Sequence, residues 1–166
     1  MPNKYYRFMS EDEFSALING EELVNHNRHT KYRTESVGFC FLGPDSIAYG
    51  LRGPYGIEPG NEPVSAYRIV GGCCGSEEIF VEFEGKSIKE SGGVYADYSS
   101  EDWDDCVLIK EYCTENYNSA ILKPLRAWRK TGGNYGYDPD WEQISFIALD
   151  ANLWKYENRY EYLMEV

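Results

Sequence analysis

With 166 residues, the chain is long enough to bury a core as one domain without disulfide or metal staples. Its formal charge of −12, from 28 carboxylates against 16 lysines and arginines, argues against nonspecific binding to nucleic acid or to anionic membranes, which needs clustered cations. No apolar run of roughly 18 residues occurs, so no membrane span is expected. The polar opening from Met1 to Arg7 lacks an apolar signal core, which points to a cytoplasmic protein. Cys40, Cys73, Cys74, Cys106 and Cys113 are odd in number and lack framework spacing, as suits a reducing compartment. The acidity reads as solubility, and the fifteen tyrosines fit either a pocket-bearing domain or a protein-binding surface.

Along the chain, Lys4 to Met9 alternates as a strand, with Tyr5, Arg7 and Met9 on one face. A helix follows: Ser10 and Glu13 make a capping box, Phe14, Leu17 and Ile18 the apolar stripe, and Asn19-Gly20 the stop. Glu21 to Thr34 is polar and holds a basic island of His26, Arg28, His29, Lys31 and Arg33. It reads as a solvated loop or as an anchor for an anion such as a pyrophosphate. His26 and His29 lack further ligands at zinc spacing, so no metal is expected.

Val37 to Leu42 is an apolar strand ended by the Gly43-Pro44 turn, and Asp45 or Ser46 is placed to cap a following helix. Such a strand, turn and helix gather amides, a hydroxyl and an aromatic face around one concavity. Gly50 to Pro63 reads as a long loop, and Tyr67 to Val70 and Ile79 to Phe83 as strands. The Gly71 to Gly75 run between them lacks the ending of a phosphate loop, and Gly92-Gly93 reads as a further loop.

Trp103, Cys106, Val107, Lys110 and Cys113 fall at helical spacing within Ser100 to Asn118, but Cys106 to Tyr112 equally suits a buried strand carrying Glu111. Ile121 to Trp128 is an apolar element whose Pro124 suggests a sheet edge or an element start. The chain closes with strands over Gln143 to Leu149 and Trp154 to Met164, turned at Asp150 to Asn152.

Three stretches resemble the catalytic domains of ADP-ribosyltransferases, of the poly(ADP-ribose) polymerase or toxin-like type. Gly38-Phe39-Cys40-Phe41 followed by Ser46-Ile47-Ala48-Tyr49 looks like the family's Gly-x-Tyr-Phe strand and Ser-x-x-Tyr turn, with Cys40 where the family has its first tyrosine. Tyr6-Arg7 is similar to the first strand, which carries a His or an Arg, and Lys110-Glu111-Tyr112-Cys113 to the family's Asn-Glu-Tyr-Ile.

The resemblance implies an α+β fold with two small, mostly antiparallel sheets packed around an NAD cleft with a few flanking helices. Residues 1–166 would form a single domain, with 130–166 as a candidate C-terminal strand extension. It also implies NAD as substrate. Ser46 would hold the nicotinamide amide and Tyr49 its ring, with Cys40 on one wall. Arg7 would secure the ribose or phosphate and Glu111 the ribose hydroxyl, while Arg28 and Arg33 would lie near the pyrophosphate and Tyr95 would line the pocket.

Breaking the nicotinamide bond develops oxocarbenium character on the ribose, which a nearby carboxylate stabilises. Glu142 is the rival carboxylate, favoured if Ser100 to Asn118 is helical. Each residue also has a structural role open to it: Glu111 as a solvated side chain, Arg7 as an ion-pair partner, Ser46 as a cap and Tyr49 as core. The expected activity is mono-ADP-ribosyl transfer or NAD glycohydrolysis, with the acceptor unassigned. The alternatives are a noncatalytic acidic interaction module or inhibitor of phage or mobile-element type, and the same fold with its chemistry lost.

Overall fold

The computed structural model describes residues 3–24, 39–49, 54–70, 78–85, 88–95, 106–132 and 139–148. The opening alternation forms β1 (Asn3–Met9). Tyr5 and Met9 pass to one face, Tyr6 and Phe8 to the other, and none is more than 5% exposed, as an interior strand requires. α1 (Glu11–Ile18) starts at Ser10, whose hydroxyl accepts the Glu13 amide at 3.1 Å. It ends at Gly20, where a φ of 77° lets the Gly20 and Glu21 amides reach back to the Leu17 and Ala16 carbonyls.

The stretch expected as strand, turn and helix is instead one strand, β3 (Phe39–Tyr49). It runs against β7 (Cys106–Thr114), with Leu42 opposite Glu111 and Ile47 opposite Ile109, so Gly43 to Ser46 bulge out against Lys110 alone. Ser46 accepts the Gly43 amide at 2.8 Å and donates to the Lys110 carbonyl. The hydroxyl that would have capped a helix therefore closes a bulge, and Lys110 takes a positive φ of 65° to meet it. β7 is the strand reading of the ambiguous segment; the helical spacing does not prevail over its described part.

The expected strand at Tyr67 to Val70 is helical. It is the end of α2 (Glu62–Val70), which also takes up the close of the expected loop. Pro63, Ala66 and Ile69 lie one turn apart and are buried, and Pro63 sits in the first turn, where its missing amide costs nothing. β4 (Tyr55–Gly56) pairs with β3 in the same stretch. β5 (Ile79–Gly85) is buried from Ile79 through Phe83. β6 (Lys89–Tyr95) carries Gly92-Gly93 within a strand rather than a loop, at an irregularity in its pairing with β7.

β8 (Asn116–Tyr117) pairs with β2 (Leu23–Val24) as a separate short ladder. β9 (Leu122–Gly132) lies between β5 and β10 (Asp140–Ile144). Pro124 is tolerated there because the pairing with β10 reaches only Ala127, leaving that part of β9 paired on the β5 side alone and next to a register shift. The closing strand thus ends at Ile144, short of Leu149. The hairpin at 150–152 and the strand over 154–164 lie outside the described residues.

These strands form an eight-stranded antiparallel sheet in the order β10-β9-β5-β1-β3-β7-β6, with β4 attached to β3. The expected α+β class is present; among the described residues it is built from this one large sheet with helices on opposite faces and the two-stranded β2–β8 ladder. α1 and Tyr117 pack with Tyr5, Met9, Phe41, Val81 and Phe83 on one face. On the other, Ala66 and Ile69 of α2 pack with Tyr6, Phe8, Leu42, Phe80 and Trp128. The sheet narrows between β1 and β3, where Tyr6 and Leu42 are the register pair. On its other side β1 is paired with β5 along its whole length, from Asn3 opposite Gly85 to Met9 opposite Ile79. No helix among the described residues is long and apolar enough to cross a membrane.

Candidate functional site

Arg7 leaves β1 on the α1 face. Its Nε and Nη2 donate to the two carboxylate oxygens of Glu13 at 2.6 and 2.8 Å, and its Nη1 donates to the Cys40 carbonyl at 3.0 Å. Tyr117 also donates to Glu13, at 2.8 Å, and the guanidinium lies 5.0 Å from the ring centre of Phe39. Burial opposes the charge on Arg7, but hydrogen bonding and charge attraction to Glu13 together outweigh it and hold the guanidinium more firmly protonated than usual. Burial pushes the Tyr117 phenol well above its ordinary range, and Glu13 adds to the effect. Glu13 completes only half of the expected capping box: its amide binds Ser10, while its carboxylate turns to Arg7 and Tyr117.

Glu111 is 3% exposed and faces the other way, since it stands opposite Leu42 of the α2-side cluster. The structure therefore does not bring Arg7 and Glu111 together; the sheet separates them. Glu111 instead meets Cys40 and Cys113, which stand opposite each other on β3 and β7 with their sulfurs 3.2 Å apart. Ser46 is fully buried, and its hydroxyl is engaged at both donor and acceptor positions within the bulge.

Tyr49 ends β3 opposite Val107, and Tyr95 ends β6 opposite Cys106. Arg28 and Arg33 lie outside the described residues. Glu142 is exposed on β10 opposite Arg129. Five strand spacings in the sheet order, roughly 24 Å, separate its strand from β7, so it does not share a site with Glu111, Ser46 or Tyr49.

A second charged cluster, on the α2 face, has no motif in the sequence. Arg126 donates to Glu82 through Nε and Nη2 at 3.1 and 2.9 Å, and through Nη2 to Glu62 at 2.8 Å. Both carboxylates are at most 3% exposed. Lys4 approaches Glu82 at 4.0 Å. Burial pushes the Tyr6 phenol up to about 12, with Glu82 and Glu62 adding to the shift and Arg126 opposing it.

The guanidinium of Arg126 also lies 4.9 Å from the ring centre of Trp128, at the wall of a cleft of about 350 Å³ shared with Glu62, Asn61, Trp141 and Gln143. Among the described residues, Trp141 Nε1 is the one buried side-chain nitrogen or oxygen without a hydrogen-bond partner. Glu62 and Arg126 are 64 positions apart in the chain, and the packing of α2 against the sheet brings them together.

No family model, curated protein or solved structure matches this chain.

Proposed function

We propose that the chain is an NAD-dependent mono-ADP-ribosyltransferase or NAD glycohydrolase-like enzyme, acting in the cytoplasm on the bond between nicotinamide and ribose. The observation that carries this proposal is the placement of the three family-like stretches, around Arg7, Cys40 to Tyr49, and Glu111. They fall on the consecutive strands β1, β3 and β7, next to the point where the sheet narrows.

The faces divide the roles. Glu111, beside Cys40, is the carboxylate that stabilises the developing charge on the ribose and orients its hydroxyls. The glycosidic C–N bond breaks, nicotinamide leaves with the electron pair, and water or an acceptor nucleophile adds to the ribose carbon and gives its proton to solvent. Tyr49 flanks the nicotinamide ring. Tyr95 would serve the nicotinamide end of NAD, and Arg28 and Arg33 its pyrophosphate. Arg7 is a positioning residue in this scheme rather than a ribose anchor: it grips the Cys40 carbonyl and so fixes the strand that carries the site. Ser46 shapes the bulge that precedes Tyr49.

Thermal denaturation with NAD and with nicotinamide, together with an assay of nicotinamide release, tests this. A ligand that binds only the native state raises the melting temperature. No shift with either ligand at millimolar concentration overturns the proposal. Glu111→Gln should abolish release while the protein stays folded, and Glu142→Gln should leave release intact; loss in Glu142→Gln alone would transfer the catalytic role to β10.

A second function, a noncatalytic acidic interaction module, is favoured by one specific observation. The polar groups of Arg7 and Ser46 are engaged inside the fold. It would show as a stoichiometric protein partner in a pulldown, combined with indifference to NAD.

A further inference from the structure

We infer that Cys40, Cys113 and Glu111 form a binding site for a thiophilic divalent cation, with Zn²⁺ as the natural occupant. One ligand atom from each residue lies within 4.8 Å of the other two. The sulfurs come from residues directly opposite on β3 and β7, and Glu111 precedes Cys113 on the same face of β7. Zinc binds thiolate at about 2.3 Å and carboxylate oxygen at about 2.0–2.2 Å, which sets tetrahedral donors roughly 3.4–3.8 Å apart. Two thiolates on such an ion stand about 3.8 Å apart, so the sulfurs, at 3.2 Å, separate by roughly half an ångström to hold it.

Two sulfurs and one oxygen suit zinc, whereas magnesium and calcium need shells built from oxygens. Glu111 is 3% exposed, so a cation held there would be largely shielded from water. Three protein ligands leave a fourth position for water or substrate. Binding displaces the two thiol protons to solvent, so affinity rises with pH. The sequence shows no ligand spacing here, because the two cysteines are 73 positions apart and meet only across strands.

The inference goes beyond the NAD proposal and shares Glu111 and Cys40 with it. Metal binding is read without NAD, and nicotinamide release is read on chelator-stripped protein, so either can fail alone. The reduced, chelator-stripped full chain is titrated with Zn²⁺ against a chromophoric chelator, and with Cd²⁺ for ultraviolet thiolate-to-metal charge transfer. One equivalent should bind. Zn²⁺ should slow iodoacetamide alkylation of Cys40 and Cys113 roughly tenfold or more, while Cys73, Cys74 and Cys106 keep their rates.

Cys40→Ser or Cys113→Ser should remove the charge-transfer band, and Glu111→Gln should weaken binding by about tenfold. The alkylation pattern on the unaltered chain stands even if a variant misfolds. Absence of the Cd²⁺ band, protection of the other cysteines instead, or a Cys40–Cys113 disulfide that survives reductant and takes no metal would each overturn the inference.

Discussion

Each face of the sheet carries a guanidinium, carboxylate and tyrosine, yet the two clusters differ in balance and in access. On the α1 side, Arg7 meets Glu13 and Tyr117 beneath Phe39 and Phe41, one cation to one anion. On the α2 side, Arg126 serves both Glu62 and Glu82, whose side chains are 4% and 3% exposed, while its own side chain is 39% exposed at the edge of a cleft. The first arrangement is closed and ties β1 to α1 and β3. The second keeps two carboxylates under one half-exposed cation, so its balance depends on a group that solvent and ligands can reach.

The largest expected effect is therefore on the open side. Arg126→Met leaves Glu62 and Glu82 buried without their guanidinium, which should cost about 4 kcal/mol and lower the melting temperature by roughly 10 °C. Urea denaturation at pH 7 measures it. A loss below about 1 kcal/mol would mean that solvent already reaches the carboxylates, and the contrast between the faces would disappear.

Arg7→Met should cost about 3 kcal/mol by the same mechanism, since Glu13, only 15% exposed, loses its guanidinium. The closed pair can be tested further by removing both charges. Arg7→Met combined with Glu13→Met should recover to within about 1 kcal/mol of the unaltered chain, because a balanced, partly buried pair is replaceable by apolar groups. Additive losses in the double variant would show that the two residues do not act as a pair.

How much of this was legible in the sequence follows from the range over which each feature is encoded. α1 could be read in full because Ser10, the Phe14–Leu17 stripe and Asn19-Gly20 are local signals, and β1 because its alternation is short and clean. α2 was hidden because its period, Pro63, Ala66 and Ile69, begins inside a proline- and glycine-rich stretch and leaves Tyr67 to Val70 resembling a strand. At Ser46 the chemistry was legible and the geometry was not. A cap and this bulge both use the hydroxyl to accept a nearby amide, and only the Lys110 carbonyl on β7 separates the two cases. The faces of Arg7 and Glu111 depend on which strands become neighbours, and the Arg126 cluster depends on the β5–β9 pairing and on where α2 packs. No local pattern records either.

Alkaline pH should sharpen the comparison at an intermediate magnitude. The unfolded Tyr6 phenol titrates near about 10, and in the fold it is pushed up to about 12. A raised folded value means that the stabilisation is fully present below pH 10 and is lost as pH rises from about 10 through 12, a loss of roughly 2 to 3 kcal/mol. Tyr6→Phe should flatten the decline of stability over that window by this share. The share that remains belongs in part to Tyr117 on the closed face, which is raised in the same direction. An unchanged slope in Tyr6→Phe would place the alkaline sensitivity elsewhere.

The smallest effect isolates exposure as the controlling variable. Arg129 grips Glu11 of α1 through Nε and Nη2 at 2.7 and 3.2 Å, a geometry close to that of Arg7 on Glu13. The side chains, however, are 45% and 42% exposed. The hydrogen bonds to Glu11 raise the pKa of Arg129, but arginine is charged at any accessible pH, so this has no separate consequence for stability near neutrality. In water the attraction is screened, and either partner alone can be solvated, so Arg129→Gln should change stability by no more than about 0.5 kcal/mol and by less at high salt. Similar bonds should then differ severalfold between Arg7 and Arg129 purely through solvent access. A loss at Arg129 as large as that at Arg7 would make hydrogen-bond geometry, rather than burial, the quantity that separates the clusters of this sheet.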